Sequence, residues 1–391
     1  MIGSTEKSAR RTGRRILGVV SAGLVIALAG CATAPKVEPF RPVWPAPPLP
    51  ARIEFIRSLT SDEDMRKDTT FSDKLEEMIG GKKPAANHIA EPMGIAVSDD
   101  GQRVYVSDFG QLAVFIFDFG KNVVTKIGTE TPLASPVGIA LDADENLYVV
   151  EQEKKGVTVF NRAGKPLRFF TDPSLQRPEG IAIDRTRGKI YVADTAHTKS
   201  QIHDVKIFDM QGKLIGAIGG EKGTKPGEFL FPTYVTVDPQ GDVYVTDTLN
   251  SRVQKFGPDG KYLRSFGQRG NGWGMFDKPK GAALDSFGNV YVADSGWSNV
   301  QIFNQKGEIL LFFGGNGRNP GLLWAPTAVA IDKQDRIYVA DNLNHRVEVY
   351  QLVNTTKGDS YLPLPDDSKS AKAADKAADK GAADKKTEPA K

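Results

Sequence analysis

Six stretches of the chain begin alike: EPMGIAVS, SPVGIALD, RPEGIAID, FPTYVTVD, KPKGAALD and APTAVAID. Their prolines, Pro92, Pro136, Pro178, Pro232, Pro279 and Pro326, stand 42 to 54 residues apart. Fifteen or sixteen residues after each proline, a strand-like run such as VYVSD or IYVAD ends on an acid: Asp108, Glu151, Asp194, Asp247, Asp294 and Asp341. A valine follows six residues later and an aromatic three beyond it, as in Val114/Phe117, Val157/Phe160, Val253/Phe256, Val300/Phe303 and Val347/Tyr350. In the third unit a five-residue insertion around His197 displaces the pair to Val205/Phe208. A turn such as AGKPL or DGKYL and one more short run complete each unit. Short apolar runs between Gly, Pro, Asp and Asn turns read as antiparallel strands, four to a unit. One such sheet cannot bury both faces alone, so neighbouring units must stack.

Four-stranded repeats of this length, stacked around an axis, predict an all-β, six-bladed β-propeller over residues 51–356, with the repeats at about 90–353. The 40 Gly and 24 Pro suit such a turn-rich fold. The sixth unit has only three strands before NTTKGDS. The alternating run RIEFIRSL supplies the missing one: its IRSL (Ile56 to Leu59) matches LRSF (Leu263 to Phe266), the outer strand of unit four. A strand at about 52–60 should therefore close blade six and remove an exposed sheet edge. Between it and the first unit, TFSDKLEEMIGG predicts a short helix over about 71–79, capped by Ser72, with Phe71, Leu75, Met78 and Ile79 along one side.

The pattern P-x-G-I-A-x-D, G-x-x-Y-V-x-D, R-V-x-x-F resembles NHL repeats across all six units. Unit two departs with Glu151 for Asp, and units four and six lack the Gly after the proline. The resemblance implies several known uses of such propellers. Peptidyl-hydroxyglycine amidating lyases place zinc-binding histidines directly after several of these prolines, and this chain has none there. Its four histidines, His88, His197, His203 and His345, are scattered, and no converging triad for an open zinc site is expected. Streptogramin lyases and gluconolactonases share the blade number, but their ligand patterns have no match here. Animal tripartite-motif proteins bind RNA through NHL propellers on a basic face. Residues 51–356 carry 36 basic and 39 acidic side chains, so no nucleic-acid partner is expected.

The two ends state a cellular address. Lys7, Arg10, Arg11, Arg14 and Arg15 precede the apolar run ILGVVSAGLVIAL, which ends in LAGC. This resembles a bacterial lipoprotein signal peptide over residues 1–30, with Cys31 as the lipidated first residue of the mature chain, bearing acyl chains such as palmitate. Without those thirty residues the net charge of +3 becomes −1, so the apparent basicity belongs to the signal. Ala32 rather than Asp after the cysteine implies an outer-membrane destination, periplasmic or cell-surface side. With no second cysteine there is no internal disulfide. Residues 31–50, with seven prolines, read as a stiff tether reaching roughly 60 Å. Residues 357–391, with tandem AADK units, read as a disordered Lys/Ala/Asp tail.

In a propeller the residues after the six prolines ring one mouth of the central channel: Met93, Val137, Glu179, Thr233, Lys280 and Thr327. They are the binding candidates. The six strand-ending acids read as loop caps that accept backbone N–H groups, helped by Arg252 and Arg346. His197, Trp273 and Trp297 are the candidates for a protein interface. Phe231, Phe276 and Trp324, close before their prolines, should wedge into the core. The sequence thus predicts a membrane-anchored, extracytoplasmic propeller that binds a protein partner in the envelope, without metal or other cofactor. The alternative is a metal-dependent lyase or lactonase acting on a peptide or small molecule in the central channel.

Overall fold

The computed structural model describes residues 41–65 and 87–355. The signal peptide, Cys31, the helix expected at 71–79 and the tail from 357 lie outside those residues. The described chain forms six antiparallel sheets. Five have four strands in sequence order, such as Pro92–Val97, Arg103–Asp108, Ala113–Asp118 and Val123–Ile127 in blade one. The innermost strands, each starting at a repeat proline, touch one another in cyclic order, blade six meeting blade one.

The run Ile53–Leu59 pairs antiparallel with Arg346–Leu352, from Ile53↔Leu352 to Leu59↔Val347, and so closes blade six. A bulge at Ile56 bends it around the rim. The sheet then gains a fifth strand, Val43–Trp44, paired with Glu54 and Ile53. Residues 41–50 are therefore not a free tether. Trp44 anchors them, its ring 5.7 Å from that of Tyr350 and 6.0 Å from that of Phe313.

The core is a set of six wedges, one between each pair of neighbouring blades. Second and third strands are sandwiched between sheets, which is why runs such as LYVVE and GVTVF are buried on both faces. Outer strands such as Pro166–Thr171 are mostly exposed. A buried tyrosine on each second strand fills each wedge: Tyr105, Tyr148, Tyr191, Tyr244, Tyr291 and Tyr338. In four blades its hydroxyl donates to the aspartate six residues before it, at 3.0–3.3 Å: Asp142, Asp238, Asp285 and Asp332. In blades one and three the turn is one residue longer, and there Tyr105 and Tyr191 have no geometric partner. In blade three the added turn residue moves Asp184 out of reach, and in blade one the equivalent position is Ser98, which has no carboxylate to offer.

Candidate functional site: the axial mouth and its rim

The geometry of the mouth begins with six carboxylates. In every blade the acid ending the second strand accepts the amide two residues before the proline: Ala90, Ala134, Gln176, Leu230, Asp277 and Trp324, at 2.6–2.8 Å. These acids are at most 2% exposed. Burial pushes the carboxyls of Asp247, Asp294 and Asp341 above their ordinary value. Arg252 meets Asp247 at 2.8 Å and Arg346 meets Asp341 at 3.2 Å. Loop capping, as read from the sequence, is what these acids do.

The capping fixes where each inner strand starts, and the next side chain is thereby delivered to the axis. Met93, Val137, Glu179, Thr233, Lys280 and Thr327 all line one axial cavity, together with Gly138 and Tyr234. Its volume is only about 30 Å³, room for a water or two, whereas ligand pockets run to roughly 300–1,000 Å³. Two side chains cross the axis to seal it. Met93 of blade one packs against the wedge between blades two and three. Tyr234 of blade four packs against the wedge between blades six and one, and burial pushes its phenol up to about 12. Tyr234 occupies the place that is glycine in four other units. The neighbouring glycine makes room: a Cβ on Gly180 would lie 2.7 Å from both the Thr233 carbonyl oxygen and the Tyr234 Cα.

Above the seal, Lys280 Nζ lies 3.4 Å from Glu179 Oε1, bridging blades five and three across blade four. Thr195 Oγ1 stands 2.9 Å from Glu179 Oε2 and 3.1 Å from the Pro232 carbonyl, donating to one or the other. Thr248 donates to the Pro279 carbonyl at 2.7 Å, Asn342 to the Pro92 carbonyl at 3.2 Å and Gln152 to the Pro178 carbonyl at 3.4 Å. These four side chains directly follow a clamp acid and clasp the next blade. Sequence reasoning passed over them. The signal was a hydrogen-bonding residue after the acid in five of the six units; Ser295 of unit five bonds the Lys278 carbonyl of its own blade instead.

Around the mouth the loops between second and third strands carry exposed apolar side chains: Phe109, Leu249, Trp297 and Leu343, each 38–45% exposed. Trp297 is held by its Nε1, which donates to the Gly270 carbonyl at 2.9 Å. Trp273, in the same loop as Gly270, stacks edge-on against Phe312 at 4.9 Å, and both are about two-fifths exposed. His197 sits exposed in the blade-three insertion. Phe276 is buried as expected, while Phe231 and Trp324 are half-buried beneath Lys222 and Arg318. His203, one of the four scattered histidines, is fully buried. Its Nδ1 accepts the Phe231 amide at 3.0 Å, its Nε2 has no partner, and burial, then Lys222, lowers its pKa. It is a neutral packing histidine that roots the insertion.

A ring of six antiparallel blades, five of four strands and the sixth of five, closed by its own N-terminal segment and sealed at one mouth, defines the class: a six-bladed β-propeller. Two of its blades match NHL repeats: the family model described as NHL repeat matches residues 229–256 and 323–350. Over 184 residues the chain is 27% identical to the E3 ubiquitin-protein ligase NHLRC1 of Rattus norvegicus, covering 44% of each chain. Over 137 residues it is 33% identical to the peptidylglycine alpha-amidating monooxygenase of the same species, covering 34% of this chain and 12% of that one. The match thus spans less than half the length of either relative. Among solved structures, a gluconolactonase from Xanthomonas campestris superposes with a TM-score of 0.53 at 17% identity, covering 76% of this chain and 98% of that one, a likeness of fold.

Proposed function

We propose that this propeller is a protein-binding module, held at the outer membrane by a lipid on Cys31, that presents its mouth-side rim to a partner in an envelope assembly. The observation that carries the reading is the sealed mouth. Some 30 Å³ beneath a Glu179–Lys280 pair admits no peptide or lactone, while the surrounding rim offers Phe109, Leu249, Trp297 and Leu343 to a surface. An aromatic anchor such as Trp297, set in a polar surround, is the kind of residue that dominates protein interfaces. The lipid and the envelope address rest on the sequence of residues 1–31.

A photo-crosslinking residue placed at Trp297 in cells tests this, with Leu263, on an outer strand and 49% exposed, as the control position. The expected result is one adduct of defined stoichiometry from position 297 and none from 263. Equal labelling at both positions would overturn the assignment of the rim. A variant Trp297→Ala should then weaken the partner by at least tenfold, about 1.4 kcal/mol, while its melting stays within a few degrees of the unaltered chain.

A further inference from the structure

The mouth rim is divided by charge. Along the arc from blade three to blade six stand Arg177, Lys199, Lys222, Arg269, Lys278 and Arg318; Lys222 is half-buried and the other five are exposed. None of the six takes part in an ion pair among the described residues. The acids of the same arc are mostly engaged. Glu228 is met by Lys225 and Glu179 by Lys280, at 3.3 and 3.4 Å. Asp247 and Asp341 have Arg252 and Arg346, while Asp194 and Asp294 are buried on backbone amides. Among the described residues of the arc, Glu221 and Asp277 are left without a cation, two acids against six bases. On blades one and two the sign reverses: Glu91, Glu130, Glu153 and Asp172 form no ion pair there, against Lys126 and Lys155. The far end is acidic as well. Its groove of about 400 Å³, lined by Val97, Leu284 and Ile331, is edged by Asp99, Asp285 and Asp332 with Lys333 as the lone cation.

Two cations of the arc are positioned without a counter-ion. Arg318 lies 4.5 Å from the centre of the Trp324 ring and Lys222 5.9 Å from that of Phe231. The Lys222 Nζ also donates to the Thr198 carbonyl in the blade-three insertion, at 3.2 Å. An aromatic face or a carbonyl orients a cation while leaving its charge for a partner to meet. Arg269 and Lys278 flank Trp297. The indole N–H bonds the Gly270 carbonyl, next in the chain to Arg269. The Lys278 carbonyl accepts the amide and hydroxyl of Ser295, two residues before Trp297, at 3.0 and 3.1 Å. Leu249 and Leu343 are exposed at the matching loops of blades four and six. Apolar anchors and unmet positive charge therefore alternate along the arc. The cations are spread over four blades, a spacing that fits carboxylates distributed over a protein surface better than one compact anion.

We propose that the partner met by the mouth rim presents an acidic surface, its carboxylates lying along the arc from blade three to blade six and an apolar side chain packing on Trp297. This rests on the protein-binding reading of the rim and adds the partner's charge and its orientation. The acids of blades one and two oppose the same surface there, so the two halves of the rim fix how the partner sits. Rim charges of this kind act mainly on the rate of association, and salt weakens them because the screening length is only about 8 Å at physiological ionic strength.

The test uses the full chain with the photo-crosslinking residue at position 297 in three forms: otherwise unaltered, with Arg269→Glu and Lys278→Glu, and with Glu130→Lys and Glu153→Lys. All four substituted side chains are exposed, so the melting curves should coincide. The rate of adduct formation is followed in permeabilised cells at about 0.05 M and about 0.3 M salt. Reversing the arc should slow the adduct about tenfold or more at the lower salt, while the second pair leaves the rate within about twofold. The higher salt should slow the unaltered form about threefold or more. Equal rates in all three forms, or a rate indifferent to salt, would overturn the proposal and leave the rim as a binding face. No adduct from the first form would remove both. Fluorescent poly-L-glutamate and heparin, offered to the purified chain, separate the kinds of polyanion. Poly-L-glutamate should bind and lose its binding when the arc is reversed; heparin bound about tenfold more tightly would assign the arc to an anionic glycan and overturn the proposal.

Discussion

Blade six contains a replacement that turns repeat symmetry into a quantitative experiment. Gln254 and Gln301, at the same place in blades four and five, use their side-chain amides to hold the loop that enters the blade, bonding the Glu228 and Met275 carbonyls at 2.8 and 2.7 Å. Their counterpart is Glu348, fully buried. Its Oε1 accepts the Gly321 amide at 3.0 Å and lies 2.8 Å from Arg346, and its Oε2 accepts the hydroxyl of Ser58 on the closing strand at 2.6 Å. Burial outweighs these partners, with Asp341 adding repulsion, and its carboxyl is pushed from 4.5 to about 7. The folded state therefore holds a proton that the unfolded chain has already lost. The associated stability is complete below pH 4.5 and disappears as the pH rises through 7. Full titration is worth about 3 kcal/mol, of which roughly 2.5 kcal/mol falls between pH 5 and pH 8. Glu348→Gln restores the residue of the sister blades and removes the dependence. Urea unfolding of both proteins at pH 5 and pH 8 isolates the effect, since every other carboxylate is common to the pair. Relative to the variant, the unaltered chain should lose about 2–3 kcal/mol at the higher pH. A relative change below about 0.5 kcal/mol would refute the assignment of that proton to Glu348.

Two other perturbations separate scaffold from address. Gly180→Ala would set a methyl 2.7 Å from the Thr233 carbonyl and the Tyr234 backbone, so blades three and four must part; a loss of about 1–3 kcal/mol in chemical unfolding is expected, and an unchanged midpoint would show that the inner strands are not close-packed there. Cys31→Ser should move the protein from the membrane fraction to the soluble periplasmic extract and abolish incorporation of labelled palmitate; retention of both would refute lipidation at that residue.

The sequence carried the ring because its signals are periodic. Pro92 and its five counterparts fix strand starts, and residues one step further are compelled to share the axis, so all six mouth residues were placed by counting alone. RIEFIRSL was legible as the closing strand because it matches the outer strand of another blade and its alternation needed a partner. Val43–Trp44 was hidden because two residues among prolines have no period; their place depends on Trp44 meeting Phe313 and Tyr350, some 270 and 306 residues away. The seal was hidden for a different reason. The sequence shows Tyr234 replacing glycine, but only the packed ring reveals that its side chain crosses to blades six and one. The far-end groove depends likewise on how Val97, Leu284 and Ile331 from three blades face one another.

Because each blade repeats the same clamps, its neighbours serve as internal controls. The acid-to-amide bond holds in all six blades whether the acid is Asp or Glu, so it belongs to folding. The residue after the proline varies from methionine to lysine without moving the strand that bears it, so Glu179 and Lys280 can be exchanged for the threonine of a sister blade at small structural cost. The same holds for Trp297, whose counterparts in blades four and six are Asn250 and Asn344. In both of those blades the asparagine donates to the clamp aspartate, at 2.8 and 2.6 Å. Each asparagine also donates to a glycine carbonyl, Gly223 or Gly317, at 2.9 and 2.8 Å; Trp297 keeps only this second bond, its indole N–H donating to the equivalent Gly270 carbonyl, and leaves part of its ring in solvent. Blade five has given up a scaffold bond that its neighbours keep and exposes an aromatic surface in its place, which is the physical reason to look for a partner at that position first.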